Sequence, residues 1–187
     1  MCGREVCRKH FLEKLYVFGS QNSVLYRADL IRSNDPFYNE ENIHADTEAC
    51  FALLKTCDFG FVHQVLTFTR VRPGSLNTIS TAMQTHWAGT LHVLVTYGPE
   101  YLTHDELAVC LDRHLSEYYR FLGKSLLLGR NKRFWDYHKR QLTEADVSFS
   151  WTRLARGTLA TLWEAVLNPK DTIERLLKRR DAFNRQD

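Results

Sequence analysis

Apolar residues recur at three- and four-residue spacing through most of the chain beyond Ser75. This periodicity is typical of amphipathic helices, in which one face packs on a core. Glycine and proline interrupt it at Gly98-Pro99 and at Gly129-Arg130-Asn131, where helices commonly end. The pattern predicts four helices: 75–97, one opened by the capping box Thr103-His104-Asp105-Glu106, Phe134–Gln141 and Val147–Leu167. A further helix is predicted to open at Asn168-Pro169.

The first part of the chain has a mixed pattern. Leu15–Phe18 and Ser23–Tyr26 flank a polar turn, and their aromatic and β-branched residues predict two short strands. Asp29–Arg32 predicts a single turn of helix. A short helix is predicted from Asp46, whose carboxylate is placed to cap the free amides of the first turn.

A further strand is predicted over Phe61–Val71, before a stop at Arg72-Pro73-Gly74. Polar and apolar residues alternate along it, but neither face is cleanly apolar, which suits a strand at a cleft or at a sheet edge. The predicted fold class is therefore α/β with few strands, followed by a mainly α-helical C-terminal extension. The corresponding domains are 1–74 and 75–187.

Charge is unevenly divided along the chain, although the net charge is only +3. Residues 1–119 carry 10 lysines and arginines against 14 acidic residues, whereas residues 120–187 carry 15 against 8. A basic C-terminal segment of this kind is suited to a phosphate-rich surface, either anionic lipid or nucleic acid. The alternative is that these charges lie on the solvated outer faces of helices.

Five cysteines, an odd number without a CxxC pair, favour reduced thiols in a cytosolic protein and give no zinc motif. No apolar run approaches the roughly 18 residues of a membrane-spanning helix. The first residues also lack an apolar stretch of signal-peptide length. We therefore expect a cytoplasmic location.

Several short motifs occur together between residues 15 and 72. They are Phe18-Gly19-Ser20, Ser23–Arg32, Pro36-Phe37-Tyr38, His44-Ala45-Asp46-Thr47-Glu48 and Asp58-Phe59-Gly60-Phe61-Val62. In this order they resemble the acceptor-side half of a family 2 glycosyltransferase of the GT-A type. The resemblance implies inverting transfer of a sugar from a nucleotide sugar to an acceptor hydroxyl, in the synthesis of cell-surface or extracellular polysaccharide.

The chain departs from the family pattern at two points. Ala45 stands where the acidic pair of the family has its glutamate, and no Asp-x-Asp triplet occurs in the sequence. The resemblance therefore implies a truncated enzyme whose nucleotide-binding half is missing and which is not expected to bind the donor alone. Mg²⁺ or Mn²⁺ is expected for the complete family enzyme, but no metal site is evident in this chain.

The resemblance also implies roles for individual residues. Asp46 corresponds to the general base that takes the proton of the attacking hydroxyl, a kind of help that typically contributes 10²–10⁴-fold to the rate; the alternative is a simple helix cap. Substrate-binding roles follow for residues that flank the base, that offer a planar donor fork or that lie on the predicted strand. For each of these residues the alternative is a purely structural role, either at the solvated surface or in a polar contact. They are His44, Glu48, Arg27, His63, Gln64 and Arg70.

The expected partners are the nucleotide sugar and the sugar acceptor, with peripheral contact at the inner face of the membrane and no nucleic acid. The membrane contact is suggested by Trp135, Trp151 and Trp163, which are interleaved with basic residues. A second hypothesis, from a different class, is a non-catalytic helical module. It would bind membrane or nucleic acid through basic C-terminal helices that include Lys178-Arg179-Arg180.

Overall fold

A computed structural model describes residues 1–68 and 75–167 of the protein. The described residues are mostly helical and contain eight α-helices and a short 3₁₀ turn at Gln21–Ser23. The helices are α1 (Gly3–Glu13), α2 (Ala28–Arg32), α3 (Ala45–Leu53), α4 (Leu76–Met83), α5 (His86–Tyr101), α6 (His104–Leu127), α7 (Lys132–Glu144) and α8 (Trp151–Leu167).

The predicted α/β fold class is wrong. Within residues 1–68 and 75–167 there is no strand, and β pairing is limited to an isolated antiparallel bridge between Cys2 and Asp58. Leu15–Phe18 and Ser23–Tyr26, predicted as strands, have irregular backbone around the 3₁₀ turn. The described residues therefore do not form a nucleotide-sugar transferase domain of the α/β type.

The predicted strand at Phe61–Val71 fails for a physical reason. Its described part, residues 61–68, is irregular and every residue in it is exposed; Phe68 keeps 87% of its surface in contact with solvent. A strand needs neighbouring strands to pair its backbone N–H and C=O groups, and alternation of polar and apolar side chains does not supply them.

Most helix predictions are confirmed, because periodicity and capping act locally. Thr103 caps α6 through a complete capping box with Glu106, and α6 ends just before Gly129, which has a φ of 64°. The predicted helix 75–97 is instead divided into α4 and α5 at Gln84, whose φ is 54°. Pro99 lies inside the last turn of α5 rather than beyond it. The helix predicted from Asn168 lies outside the described residues.

One core cluster joins α1 and α3 to α5 and α6. Phe51 of α3 is fully buried and its ring stacks on Phe11 of α1, with the ring centroids 5.0 Å apart. The hydroxyl of Tyr101 on α5 donates to the backbone carbonyl of Phe51. Residues on both sides of position 74 share this cluster, and the division into two domains at that position stays a prediction.

A second core cluster lies among α5, α6, α7 and α8. Tyr118 and Leu122 of α6 pack there with Phe134 of α7 and Leu154 of α8, and all four are buried. His138 of α7 is also completely buried. All five cysteines of the chain are free thiols.

The imidazole of His138 forms a hydrogen bond at the C-terminal end of α4. Its Nε2 lies 3.0 Å from the carbonyl oxygen of Met83, the last residue of α4. Because a carbonyl only accepts, Nε2 carries the hydrogen and Nδ1 accepts from the hydroxyl of Tyr118 at 2.5 Å. Helix ends leave carbonyls without intrahelical partners, so His138 satisfies one of them as a neutral group.

Helices α6 and α8 approach each other backbone to backbone. A Cβ added to Gly157 would come 2.3 Å from the carbonyl oxygen of Tyr119, and one added to Gly123 would come 2.4 Å from the backbone nitrogen of Thr158. These glycines let α8 lie directly on α6, since any side chain at either position would separate the helices.

Replacing Gly157 with alanine is expected to lower the free energy of unfolding by about 1–3 kcal/mol, because overpacking forces the two backbones apart. Urea denaturation followed by circular dichroism measures the change. Gly60→Ala is the matched control, because nothing lies within 4 Å of the Cβ it adds. Equal stability of the Gly157 variant and the wild type would contradict this close packing.

Stability is expected to rise with pH between about 4 and 6.5. Burial lowers the pKa of His138 from 6.5 to about 4. In that pH range the unfolded chain binds a proton that the folded chain lacks. The free energy of unfolding therefore falls as the pH is lowered, by about 3 kcal/mol at pH 4. Unfolding midpoints in urea across this range measure the slope.

His138→Gln should make this pH dependence shallower, because glutamine has no proton to bind. His104→Gln is the control, since the His104 side chain is 96% exposed and its removal should leave the slope intact. A His138→Gln variant with the wild-type slope would show that another group is responsible.

Candidate functional site

Asp46 lies in the first turn of α3 but does not cap it. His44 occupies the cap position and makes no side-chain cap hydrogen bond. The Oδ1 atom of Asp46 accepts from the backbone N–H of Thr47 at 2.8 Å, and the residue is half-buried. A carboxylate is favoured in this turn because the helix dipole places partial positive charge there.

His44 lies against α5. Its Nε2 is 3.1 Å from the hydroxyl oxygen of Thr85, and a Cβ on Gly89 would come 2.3 Å from the ring. The absence of a side chain at Gly89 therefore allows the imidazole to rest on α5. Burial lowers the pKa of His44.

Glu48 ties α3 to α5 and to the preceding loop. Its Oε2 accepts from the Asn42 amide at 2.9 Å, and its Oε1 lies 3.3 Å from Nε2 of His92 and 3.5 Å from the hydroxyl of Tyr97. Only 15% of its side chain is exposed. These contacts give Glu48 a structural position, and its predicted role in substrate binding stays a prediction.

The other predicted substrate contacts do not join this group. Arg27 is exposed and forms an ion pair with Asp29 at 2.5 Å. His63 and Gln64 are exposed in the irregular segment 61–68, where the ring of His63 meets that of Phe61 edge-on at 4.9 Å. Arg70 lies outside the described residues. The structure therefore brings together His44, Asp46 and Glu48 from the predicted set.

A cleft of about 210 Å³ lies between α1, α5 and α6. Its walls combine aromatic and apolar side chains with charged groups and imidazoles. The lining residues are His10, Phe11, Lys14, Tyr16, His86, Trp87, Thr90, Leu94, Cys110, Arg113, His114 and Glu117.

The charged groups of the cleft are held in place by contacts within it. Lys14 forms an ion pair with Glu117 at 2.5 Å. The guanidinium of Arg113 donates to the backbone carbonyls of Phe11 and Leu12, at the end of α1. With the imidazoles neutral, these three charged groups leave one net positive charge in the cleft.

The three histidines of the cleft are kept in their neutral form. Burial lowers the pKa of His10, His86 and His114. The Nε2 atom of His114 donates to the carbonyl oxygen of Trp87 at 2.9 Å. Neutral imidazoles both donate and accept hydrogen bonds, so the cleft offers both kinds of group near pH 7.

The first turn of α3 lies near this cleft but contributes none of its lining residues. Tyr16 keeps 72% of its surface exposed, yet partial burial of the phenol raises its pKa and the nearby charge of Asp46 raises it further. On the other side, burial and the proximity of His44 lower the pKa of His86. Asp46 and His44 therefore lie close to two residues of the cleft wall.

This arrangement suits a small polar ligand with an apolar face. Binding pockets commonly combine apolar and aromatic walls with a few polar groups that fix the orientation of the ligand. Here Phe11, Tyr16 and Trp87 provide the aromatic surface, and Glu117 is the carboxylate of the wall. Asp46, a further proton acceptor, lies outside the lining and near Tyr16.

Most of this cleft could not be recognised from the sequence. Its histidines and Arg113 come from three helices and are separated by up to about a hundred positions, so no local spacing connects them. Asp46 was recognisable because its motif is contiguous.

No cluster of three or more His, Cys, Asp or Glu side chains suited to a metal ion exists within 1–68 and 75–167. In the same part of the chain, no helix combines the length and the apolar character needed to cross a bilayer.

Comparisons with protein-family models, with curated proteins and with solved structures found no match for this chain.

Glu48→Ala is expected to lower the free energy of unfolding by about 1–3 kcal/mol, because it removes the partner of Asn42, His92 and Tyr97. Urea denaturation measures the loss. The control is Glu40→Ala, at an exposed position, which should change stability little. An unchanged stability for Glu48→Ala would contradict this structural role.

Proposed function

We propose that this chain supplies the acceptor side of a sugar-transfer reaction, with Asp46 as the general base. Two observations support the proposal. The motifs between residues 15 and 72 resemble those of family 2 glycosyltransferases, and the charge of Asp46 acts on Tyr16, a residue of a cleft with aromatic and hydrogen-bonding walls. The second observation carries it, because a base must lie within reach of a bound hydroxyl.

The chemistry assigned to Asp46 is a single displacement with inversion. The acceptor oxygen forms a bond to the anomeric carbon of the donor while the bond from that carbon to the diphosphate breaks. The hydroxyl proton passes to a carboxylate oxygen of Asp46, and the bonding electron pair leaves with the nucleoside diphosphate. No step of this scheme requires a metal ion on the described residues.

The cleft would hold the acceptor sugar. The rings of Tyr16 and Trp87 provide flat apolar surfaces for one face of a pyranose, whose C–H groups are apolar. Glu117 and the neutral imidazoles of His86 and His114 provide donors and acceptors for hydroxyl groups. His44 lies beside Asp46 and is suited to the same acceptor.

This proposal leaves donor binding outside the described residues. The sequence has no Asp-x-Asp triplet, so the metal and the nucleotide of the donor are not assigned to any residue of this chain. A cytoplasmic location belongs to the same proposal, because it agrees with the five free cysteines; contact at the inner face of the membrane is part of it as well.

The proposal predicts that the chain binds acceptor saccharides and that Asp46→Asn weakens this binding. A ¹H–¹⁵N spectrum titrated with hexose and N-acetylhexosamine disaccharides should show shifts centred on Tyr16, His86 and Trp87. Loss of one charged hydrogen-bond acceptor is expected to weaken binding by about 10- to 100-fold.

The control for this experiment is Asp29→Asn, which removes an exposed carboxylate that is paired with Arg27 and should leave binding unchanged. Titration with UDP- and GDP-sugars in the presence of Mn²⁺ tests the donor side. Absence of saccharide shifts in the cleft, or equal effects of the two variants, would refute the assignment to Asp46. Micromolar binding of a nucleotide sugar would show that this chain also holds a donor site.

A further inference from the structure

Helix α8 carries two separate apolar stripes. The first faces α6 and includes the buried residues Leu154 and Gly157. The second lies about 150° around the helix from the first, at 100° per residue, and its large side chains are 45% to 71% exposed. We call this second stripe the outer face of α8; it consists of Trp151, Leu159, Leu162, Trp163 and Val166.

The outer face is a continuous surface feature. Its members are spaced by 8, 3, 1 and 3 residues, which places them on one side of the helix. Single exposed apolar side chains are normal on protein surfaces, whereas the close group Leu159, Leu162, Trp163 and Val166 marks an interaction site. Trp151 lies two turns earlier on the same side, where its ring contacts Phe149 and Lys139.

The end of α6 also carries exposed apolar residues. Helix α8 runs in the same direction as α6, because Arg153 near its start pairs with Asp112 while Thr158 lies against Gly123 further along. Both helices rise by 1.5 Å per residue, so Leu162 and Val166 come level with the last residues of α6. There Leu126, Leu127 and Leu128 are 40% to 48% exposed.

Positive charge surrounds this end of the bundle. Between residues 124 and 133 there are four exposed cationic residues and no acidic one; they are Lys124, Arg130, Lys132 and Arg133. Arg156 is exposed beside the outer face. Glu164, the carboxylate of α8, is paired with Arg120, so it does not offset these charges freely.

We propose that the outer face of α8 and the end of α6 dock on an anionic lipid bilayer. Tryptophan and leucine side chains would enter the interface while the neighbouring cations meet lipid phosphates, as in helices that lie in the membrane surface. This proposal does not depend on the sugar-transfer proposal.

Charge favours lipid over the other occupants. A second copy seated on the same face would bring identical cations together, which is unfavourable at close range. The phosphates of a nucleic acid would complement the cations. They would not bury the stripe of large apolar side chains, because nucleic-acid binding depends mainly on phosphate contacts. An anionic bilayer satisfies both the apolar and the cationic parts of the surface.

The experiment measures binding of the full chain to vesicles of phosphatidylcholine with and without phosphatidylserine, by co-sedimentation and by the blue shift of tryptophan emission. We expect binding to the phosphatidylserine vesicles that weakens with added salt. Leu159→Glu should weaken it by at least about 10-fold, since a leucine no longer enters the apolar layer. The double variant Lys132→Ala, Arg133→Ala should reduce binding to the anionic vesicles only.

Ala160→Glu is the matched control, because it adds the same charge to the neighbouring exposed position, outside the outer face; its binding should stay within about 2-fold of wild type. If Leu159→Glu changes the unfolding midpoint, Trp163→Ser replaces it. Equal losses for Leu159→Glu and Ala160→Glu, or absence of binding to anionic vesicles, would overturn the proposal. So would a concentration-dependent dimer that Leu159→Glu abolishes, or tight binding to DNA without binding to vesicles.

Discussion

The protein is organised around α6, whose early and later parts are buried in two different core clusters. Cys110, early in the helix, belongs to the core cluster with α1, α3 and α5, whereas Tyr118 and Leu122 belong to the cluster with α7 and α8. The helix is 24 residues long, so its two ends serve different neighbours. The cleft beside α1 and the outer face of α8 both owe their positions to it, because α1 and α8 are each packed on its surface.

Neutral imidazoles recur where helices meet. His138 donates to the last carbonyl of α4, His114 donates to the carbonyl of Trp87, and His44 contacts Thr85. In each case burial disfavours the charged ring, and a fixed partner determines which nitrogen takes part. The same chemistry gives the protein a stability that depends on pH and gives the cleft groups that donate or accept near neutrality.

The expected fold and the expected role of Asp46 came from different kinds of sequence pattern. The α/β expectation came from alternating residues at 15–26 and 61–71, and the described residues there form no sheet because no segment supplies a partner strand. The role of Asp46 came from a contiguous motif, and the residue lies near Tyr16, part of a cleft that the sequence did not reveal. The fold expectation is therefore corrected, while the activity stays a proposal.

The sequence by itself determined the elements whose causes are local. The apolar spacing of α6, α7 and α8, the capping box at Thr103 and the glycine stop at Gly129 act over a few residues, and so they can be recognised without knowledge of the fold. Tertiary structure alone decided what meets across the chain. It joined His10, His86 and Arg113 in one cleft, set Gly123 against Gly157, and left the outer face of α8 exposed. These outcomes depend on how helices distant in sequence pack together, which no local pattern specifies.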